Sequence, residues 1–321
     1  MQFSPPFYLK NPHLQTIWAS RIRYVSPFPY EEERFTLPDG DFLMLYWRDI
    51  EKKQQDQTPL VLLLHGVSGS AQSVYVRGMI KGIFEDGMGC VGISLRSAGN
   101  IHNKTAKAYH AGETDDLRAI VIALKERFPN RPLIGVGFSL GGSILLNYLS
   151  RYRDLVLGCA ISVPIDMIDA AQAIRSKQAR IYEQNFVKRL KKLVVIKEKE
   201  LKHAGIDTKK LLQVKSIRDF DQHGTAPLYG FESAEDYYNK TSSKQHFHKI
   251  QAPTLLIQAK DDPVLGPKCY LRPSEVPSYM TYIEEHFGGH VGFLPSLFST
   301  TTHCEKLVRQ FIQNRIQGSS Q

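Results

Sequence analysis

The stretch Leu133-Ile134-Gly135-Val136-Gly137-Phe138-Ser139-Leu140-Gly141-Gly142 runs from apolar residues into a serine bracketed by glycines. Leu133 to Phe138 has the uninterrupted apolar character of a strand buried on both faces. Gly141 to Arg151 reads as a helix. A Gly-x-Ser-x-Gly pattern at such a junction places its serine on a sharp strand-to-helix turn, and the glycines let neighbouring backbone approach. Ser139 is therefore the candidate nucleophile. A glycine-rich turn without chemistry would look the same over five residues, so the surroundings decide.

Upstream, Leu60 to Leu64 is a second continuously apolar run, ended by His65-Gly66. Before it, Arg34 to Leu37 and Phe42 to Trp47 flank Pro38-Asp39-Gly40-Asp41 and read as a hairpin. A helix is expected from Val74 to Glu85 and a strand from Cys90 to Leu95. The next helix begins near Glu113, with Glu113, Asp115 and Asp116 in its first turn, where carboxylates suit the positive end of the helix dipole. Another strand fits Leu155 to Val163. Repeated strand–helix–strand units imply a mainly parallel central sheet flanked by helices.

Between Pro164 and Ile250 this rhythm stops, and the segment is basic and helix-like. It reads as an inserted helical cap, residues 164–250, in a core formed by residues 1–163 and 251–321. The rhythm resumes with strands at Pro253 to Gln258 and Tyr279 to Glu285, a helix over roughly Glu305 to Ile316, and a frayed tail from Gly318.

Composition narrows the function classes. The formal net charge is +9. Residues 175–218 hold fourteen Lys/Arg against four Asp/Glu, so the rest of the chain is nearly balanced. No RNA-binding aromatic motif or zinc finger accompanies this basic stripe, and no nucleic-acid partner is expected. A solvated helical face is the plain reading, with weak attraction to an anionic membrane surface as a further expectation. Cys90, Cys159, Cys269 and Cys304 are scattered, without the spacing of a zinc site. Neither metal nor organic cofactor is expected. No apolar run of about 18 residues is present, and the start Met1-Gln2-Phe3-Ser4-Pro5-Pro6 lacks the pattern of a secretory signal. A cytoplasmic location with reduced thiols is expected.

A serine hydroxyl is a poor nucleophile and needs a base, an orienting acid and donors for the developing oxyanion. The loop after Leu60–Leu64, His65-Gly66-Val67-Ser68-Gly69, is the place for one donor. The backbone N–H groups of Val67 and Leu140 are expected to form the oxyanion hole. His65 is read as a structural hydrogen-bonder. After the strand ending near Gln258, Asp261 and Asp262 compete for the acid, and Asp262 precedes a proline that fixes its turn. Among the histidines only His290 follows a strand through glycines, in Gly288-Gly289-His290. The chain order Ser139, Asp262, His290 is the order this kind of site requires.

Further motifs appear in sequence: Asn11-Pro12-His13-Leu14-Gln15-Thr16, Tyr109-His110-Ala111-Gly112-Glu113-Thr114-Asp115-Asp116-Leu117, Asp261-Asp262-Pro263 and Gly288-Gly289-His290. With the two glycine loops, they make the chain resemble the YheT-type branch of the α/β-hydrolase superfamily (the AB hydrolase-4 family). The resemblance spans nearly the whole chain, although the cap carries little of it. It implies an α/β-hydrolase fold, Ser139, Asp262 and His290 as catalytic triad, and hydrolysis of medium- to long-chain acyl esters or lipids through an acyl-enzyme. Acyl transfer to an alcohol or lysophospholipid is the alternative, and His110-x4-Asp115 fits a short pattern associated with it. A departure occurs at Leu95-Arg96-Ser97-Ala98-Gly99, where the family often carries Arg-Gly.

Overall fold

A computed structural model describes residues 3–49 and 57–318. Its centre is an eight-stranded sheet: β1 (Glu31–Thr36), β2 (Phe42–Arg48), β3 (Leu60–Leu64), β4 (Gly89–Ser94), β5 (Leu133–Phe138), β6 (Leu157–Ile161), β7 (Thr254–Ala259) and β8 (Met280–Glu285), in the order β1-β2-β4-β3-β5-β6-β7-β8. The expected hairpin forms β1 and β2, paired Phe35 to Leu43, and β2 runs antiparallel to β4. Every other pairing is parallel.

Alternation along the strands explains the two-sided core. Leu60, Leu62 and Leu64 of β3 join one apolar cluster, and Val61 and Leu63 join the other. The first is covered by α3 (Asp115–Arg127) and α4 (Leu140–Arg151), which contribute Leu117, Ile120, Ile144 and Leu145. The second is covered by α2 (Val74–Glu85) and α12 (His303–Gly318), through Val76, Ile80, Val308 and Ile312. All five residues of β3 are fully buried, and each such side chain contributes roughly 1.5–3 kcal/mol relative to exposure.

Local boundaries shifted by one to three residues, with one informative correction. Glu113 lies outside α3: Thr114 is the N-cap, and the Glu113 N–H closes a turn onto the His110 carbonyl at 3.0 Å. Only Asp115 and Asp116 occupy the first turn. The last helix reaches Gly318, while the remainder of the expected frayed tail, and Met1 and Gln2, lie outside the described residues.

Between β6 and β7 the described chain forms α5 (Met167–Ala173), α6 (Arg180–Ile196), α7 (Glu198–His203), α8 (Thr208–Gln213), α9 (Ile217–Phe220), α10 (Ala226–Tyr229) and α11 (Ala234–Thr241). The N-terminal stretch contains α1 (Pro12–Ile17), capped by Asn11 through bonds from the His13 and Leu14 N–H groups. No helix among the described residues is long and apolar enough to cross a membrane.

Candidate active site

Three loops leave the carboxyl ends of parallel strands and converge. Ser139 follows β5 with φ 50°, a conformation L-residues rarely adopt, and its N–H donates to the Ile161 carbonyl at 2.8 Å. The turn is possible because Gly137 and Gly141 lack side chains. A Cβ on Gly137 would sit 2.5 Å from the Gly141 carbonyl oxygen, and one on Gly141 would sit 2.5 Å from the carbonyl oxygens of Leu64 and His65.

His290 arrives from the loop after β8. Its Nε2 lies 2.9 Å from Ser139 Oγ, and its Nδ1 lies 2.7 Å from Asp262 Oδ2. With Nδ1–H donating to the carboxylate, Nε2 is left as the acceptor for the serine hydroxyl. The second oxygen of Asp262 accepts the Val264 N–H at 2.8 Å, so the carboxylate is held from both sides, and the side chain is fully buried. Asp261 points elsewhere. Its Oδ1 accepts the Gly289 N–H at 2.8 Å, Oδ2 is buried without a partner, and burial raises its pKa, with the charge of Asp262 adding to the effect. The two adjacent acids thus separate: Asp262 meets the imidazole and Asp261 its supporting backbone.

The loop carrying His290 rests on a segment from the other end of the chain. The His290 N–H donates to Thr16 Oγ1 at 2.9 Å, and the Thr16 hydroxyl donates to the Pro12 carbonyl at 2.7 Å. Buried Gln15 accepts the Leu294 N–H at 2.7 Å and donates to the carbonyls of Leu9 and Leu294. Gly289 has φ 55°, and a Cβ there would lie 2.5 Å from the Pro12 carbonyl oxygen. Asn11 to Thr16 was noticed only as a resemblance motif. Nothing local in it reveals this role, since the His290 and Leu294 backbone groups it holds lie more than 270 positions away.

Val67 and Leu140 flank Ser139, and neither N–H has an acceptor among the described residues. For Leu140, the first residue of α4, this is the ordinary state of a helix N-terminus, which also carries positive dipole potential. Gly66 packs against the serine: a Cβ on it would be 3.0 Å from Ser139 Cβ. His65 is completely buried, accepts the Leu95 N–H on Nε2 at 3.1 Å and donates from Nδ1 to the Gly66 carbonyl at 2.8 Å. Burial pushes its pKa down to about 4, so it remains neutral near pH 7.

A cavity of about 670 Å³ opens beside Val67 and Leu140. Met167, Leu193, Leu211 and Leu228 from the helical excursion line it, which gives it a largely apolar wall. His110 also faces this cavity, with its ring 4.3 Å between centroids from Tyr229 and its Nδ1 accepting the Gly112 N–H at 3.2 Å. Asp115 is exposed on α3 and makes no contact with His110 among the described residues, so the His110-x4-Asp115 pattern does not assemble as a pair.

The arrangement is that of an α/β fold with a serine at a sharp strand-to-helix turn, and the comparisons with known proteins agree on the fold. A model of the alpha/beta hydrolase fold matches residues 59–296. The YheT protein of Escherichia coli is 31% identical over 91% of this chain and 87% of its own length. A monoacylglycerol lipase of Saccharomyces cerevisiae is 31% identical, with 81% of this chain and 60% of the relative covered. Phospholipase ABHD3 of Mus musculus is 26% identical over 94% and 76%. Among solved structures, an esterase of Pyrococcus furiosus superposes with a TM-score of 0.59 over 91% of this chain and 97% of that one; at 18% identity this likeness concerns the fold. The chain belongs to the α/β hydrolase fold family, in its YheT-like branch.

Proposed function

We propose that this protein is a carboxylic-ester hydrolase working through Ser139, His290 and Asp262, on medium- to long-chain acyl esters or lipids. One observation carries the reading: Ser139 Oγ, His290 and Asp262 form a continuous hydrogen-bonded line of 2.9 and 2.7 Å at a strained strand-to-helix turn. The esterase, lipase and phospholipase names of relatives support the class of bond.

In this mechanism Ser139 Oγ attacks the ester carbonyl as His290 Nε2 takes its proton. Asp262 fixes the imidazole tautomer and stabilises its positive form. The N–H groups of Val67 and Leu140 receive the negative charge that develops on the carbonyl oxygen, a contribution typically worth 10²–10³-fold in rate per donor. His290 then protonates the departing alcohol, leaving acyl-Ser139. Water, deprotonated by His290, attacks the acyl carbon and releases the acid, restoring the serine. The apolar cavity beside Leu140 would take the acyl chain, and residues 164–250 would act as a cap over the core of residues 1–163 and 251–321, selecting substrate by its shape.

Two further parts belong to this reading. The exposed cations Lys192, Lys199 and Lys202 would give the cap weak attraction to anionic lipid surfaces. The four cysteines are buried and free, which suits a reducing, cytoplasmic setting.

The test is labelling by a serine-directed fluorophosphonate and turnover of p-nitrophenyl esters of graded chain length. Wild type should be labelled at Ser139 and turn over, and Ser139→Ala should do neither. A folded wild type with no labelling and no turnover overturns the proposal. Co-sedimentation with anionic and neutral vesicles tests the surface reading, which equal binding to both would remove.

A further inference from the structure

The loop that presents the Val67 N–H holds an unusual backbone. Gly69 N–H donates to the Gly66 carbonyl at 3.1 Å, closing a tight turn, and Ser68 between them has φ 57°. That is the left-handed region, which disfavours a residue with a Cβ, so the loop needs outside restraint. The hydrolase core restrains the turn beyond the bonds that the Gly66 carbonyl accepts from His65 and Tyr109. The Gly66 N–H donates to the Tyr75 hydroxyl at 3.1 Å, and the Ser68 N–H donates to the Tyr109 hydroxyl at 2.7 Å. Both fix N–H groups, and neither holds the Ser68 carbonyl.

That carbonyl is held from the helical excursion. Arg189, on α6, donates from Nη1 to the Ser68 oxygen at 2.9 Å. Among the described residues it is the partner of that oxygen, and Arg189 makes no ion pair that would give it another task. Its side chain is exposed and lines the cavity mouth together with Val67 and Ser68. A cationic donor gives a stronger hydrogen bond than a neutral one, and an exposed one can release it when the helix moves.

We infer that Arg189 is a positioning residue: it pins the Ser68 carbonyl, keeps the 66–69 turn in its left-handed form, and so aims the Val67 N–H at the oxyanion whenever α6 is docked. The inference rests on the triad reading above. It couples the cap to rate, because a displaced α6 withdraws the guanidinium and lets the Ser68–Gly69 peptide rotate.

Kinetics of Arg189→Met, Arg189→Lys and Lys188→Met, on a soluble short-chain p-nitrophenyl ester, provide the test. Lys188→Met removes a neighbouring exposed charge without touching the loop. Arg189→Met should lower kcat at least tenfold with KM within twofold, and should weaken a trifluoromethyl ketone transition-state analogue by the same factor while leaving the affinity for the product acid unchanged. Arg189→Lys, which keeps one cationic donor, should recover part of the loss, and Lys188→Met should behave as wild type. A kcat within twofold of wild type in Arg189→Met, a loss confined to KM, or an equal loss in Lys188→Met would overturn the inference. Undiminished turnover in Ser139→Ala would instead overturn the triad reading itself, which keeps the two failures apart.

Discussion

His290 donates its backbone N–H to the side chain of Thr16, 274 residues earlier in the chain, at 2.9 Å. The base of the candidate triad is thus seated on the N-terminal helix, and its ring direction depends on that seat. Thr16 is buried, and its hydroxyl acts as both donor and acceptor.

Replacing Thr16 by Val keeps the shape and removes the acceptor. The stranded His290 N–H should cost about 1–3 kcal/mol of stability. Turnover should fall roughly tenfold, mainly in kcat, because the imidazole is misaimed while the substrate cavity is untouched. Thr16→Ser should behave close to wild type in both urea denaturation and ester hydrolysis.

The elbow glycines give a second expectation. In Gly141→Ala the new methyl group meets the Leu64 and His65 carbonyl oxygens at 2.5 Å, and both lie at the strand end that leads into the 66–69 loop. Backbone there cannot step aside as a flexible side chain would. Destabilisation of about 1–3 kcal/mol or more is expected, together with loss of fluorophosphonate labelling. Thermal melting and labelling of the same sample check both.

The adjacent aspartates should separate sharply in function. Asp262→Asn removes the charge that holds the imidazole tautomer, and kcat should fall by about 10³–10⁴-fold. Asp261→Asn should change kcat less than tenfold. Because burial raises the folded-state pKa of Asp261, its ionised form opposes folding at neutral pH. Asp261→Asn should therefore be more stable than wild type at pH 7, with the difference shrinking as the pH falls toward the unfolded carboxyl value. Paired urea titrations at pH 4 and pH 7 decide it.

Asp221 offers a pH test in the wall of the cavity. Its carboxylate is buried, accepts from Tyr238 Oη at 2.7 Å and Thr225 Oγ1 at 2.6 Å, and burial pushes its pKa up from 3.8 to about 6. A raised carboxyl pKa means that the folded state holds its proton more tightly. Its stabilising contribution is complete below about pH 4 and is lost as the pH rises through about 6. That interval corresponds to about 3 kcal/mol. Relative to wild type, Asp221→Asn should gain about this amount between pH 4 and pH 7, measured as the change in unfolding free energy.

Leu228 lies on the cavity wall and packs with the α6–α8 cluster of Val194, Leu201 and Leu211, whereas Leu140 belongs to a separate cluster with Met167. A larger side chain at that wall shortens the space for an acyl chain. Leu228→Trp should shift the preferred p-nitrophenyl ester toward shorter chains, raising KM for long ones about tenfold while short-chain kcat/KM stays within threefold.

The parallel core was readable because its signals are local. Leu60 to Leu64 and Leu133 to Phe138 are too apolar to lie anywhere except between two helical layers, and Gly137 to Gly141 specify a turn that few other residues could make. Chain order then placed Asp262 and His290 after later strands. The reading failed where a local cue was shared by two structures. Glu113 looked like a first-turn acid, but the turn onto His110 delays the helix. His110 and Asp115 had the spacing of a motif but read more simply as a locally packed histidine and a helix-start acid, and the aromatic box of Tyr229, Phe231 and Tyr237 does hold the histidine away from the exposed aspartate.

By itself the sequence determined the strand-and-helix alternation, the elbow at Ser139 and the order of the candidate acid and base, because hydrophobic period and glycine placement act over a few residues. Only the tertiary structure decided which aspartate faces His290, that Thr16 and Gln15 carry its loop, and that Arg189 reaches the Ser68 carbonyl. Each of those is a hydrogen bond between groups far apart in the chain, and such bonds depend on side-chain direction after the layers have packed, which no local pattern records.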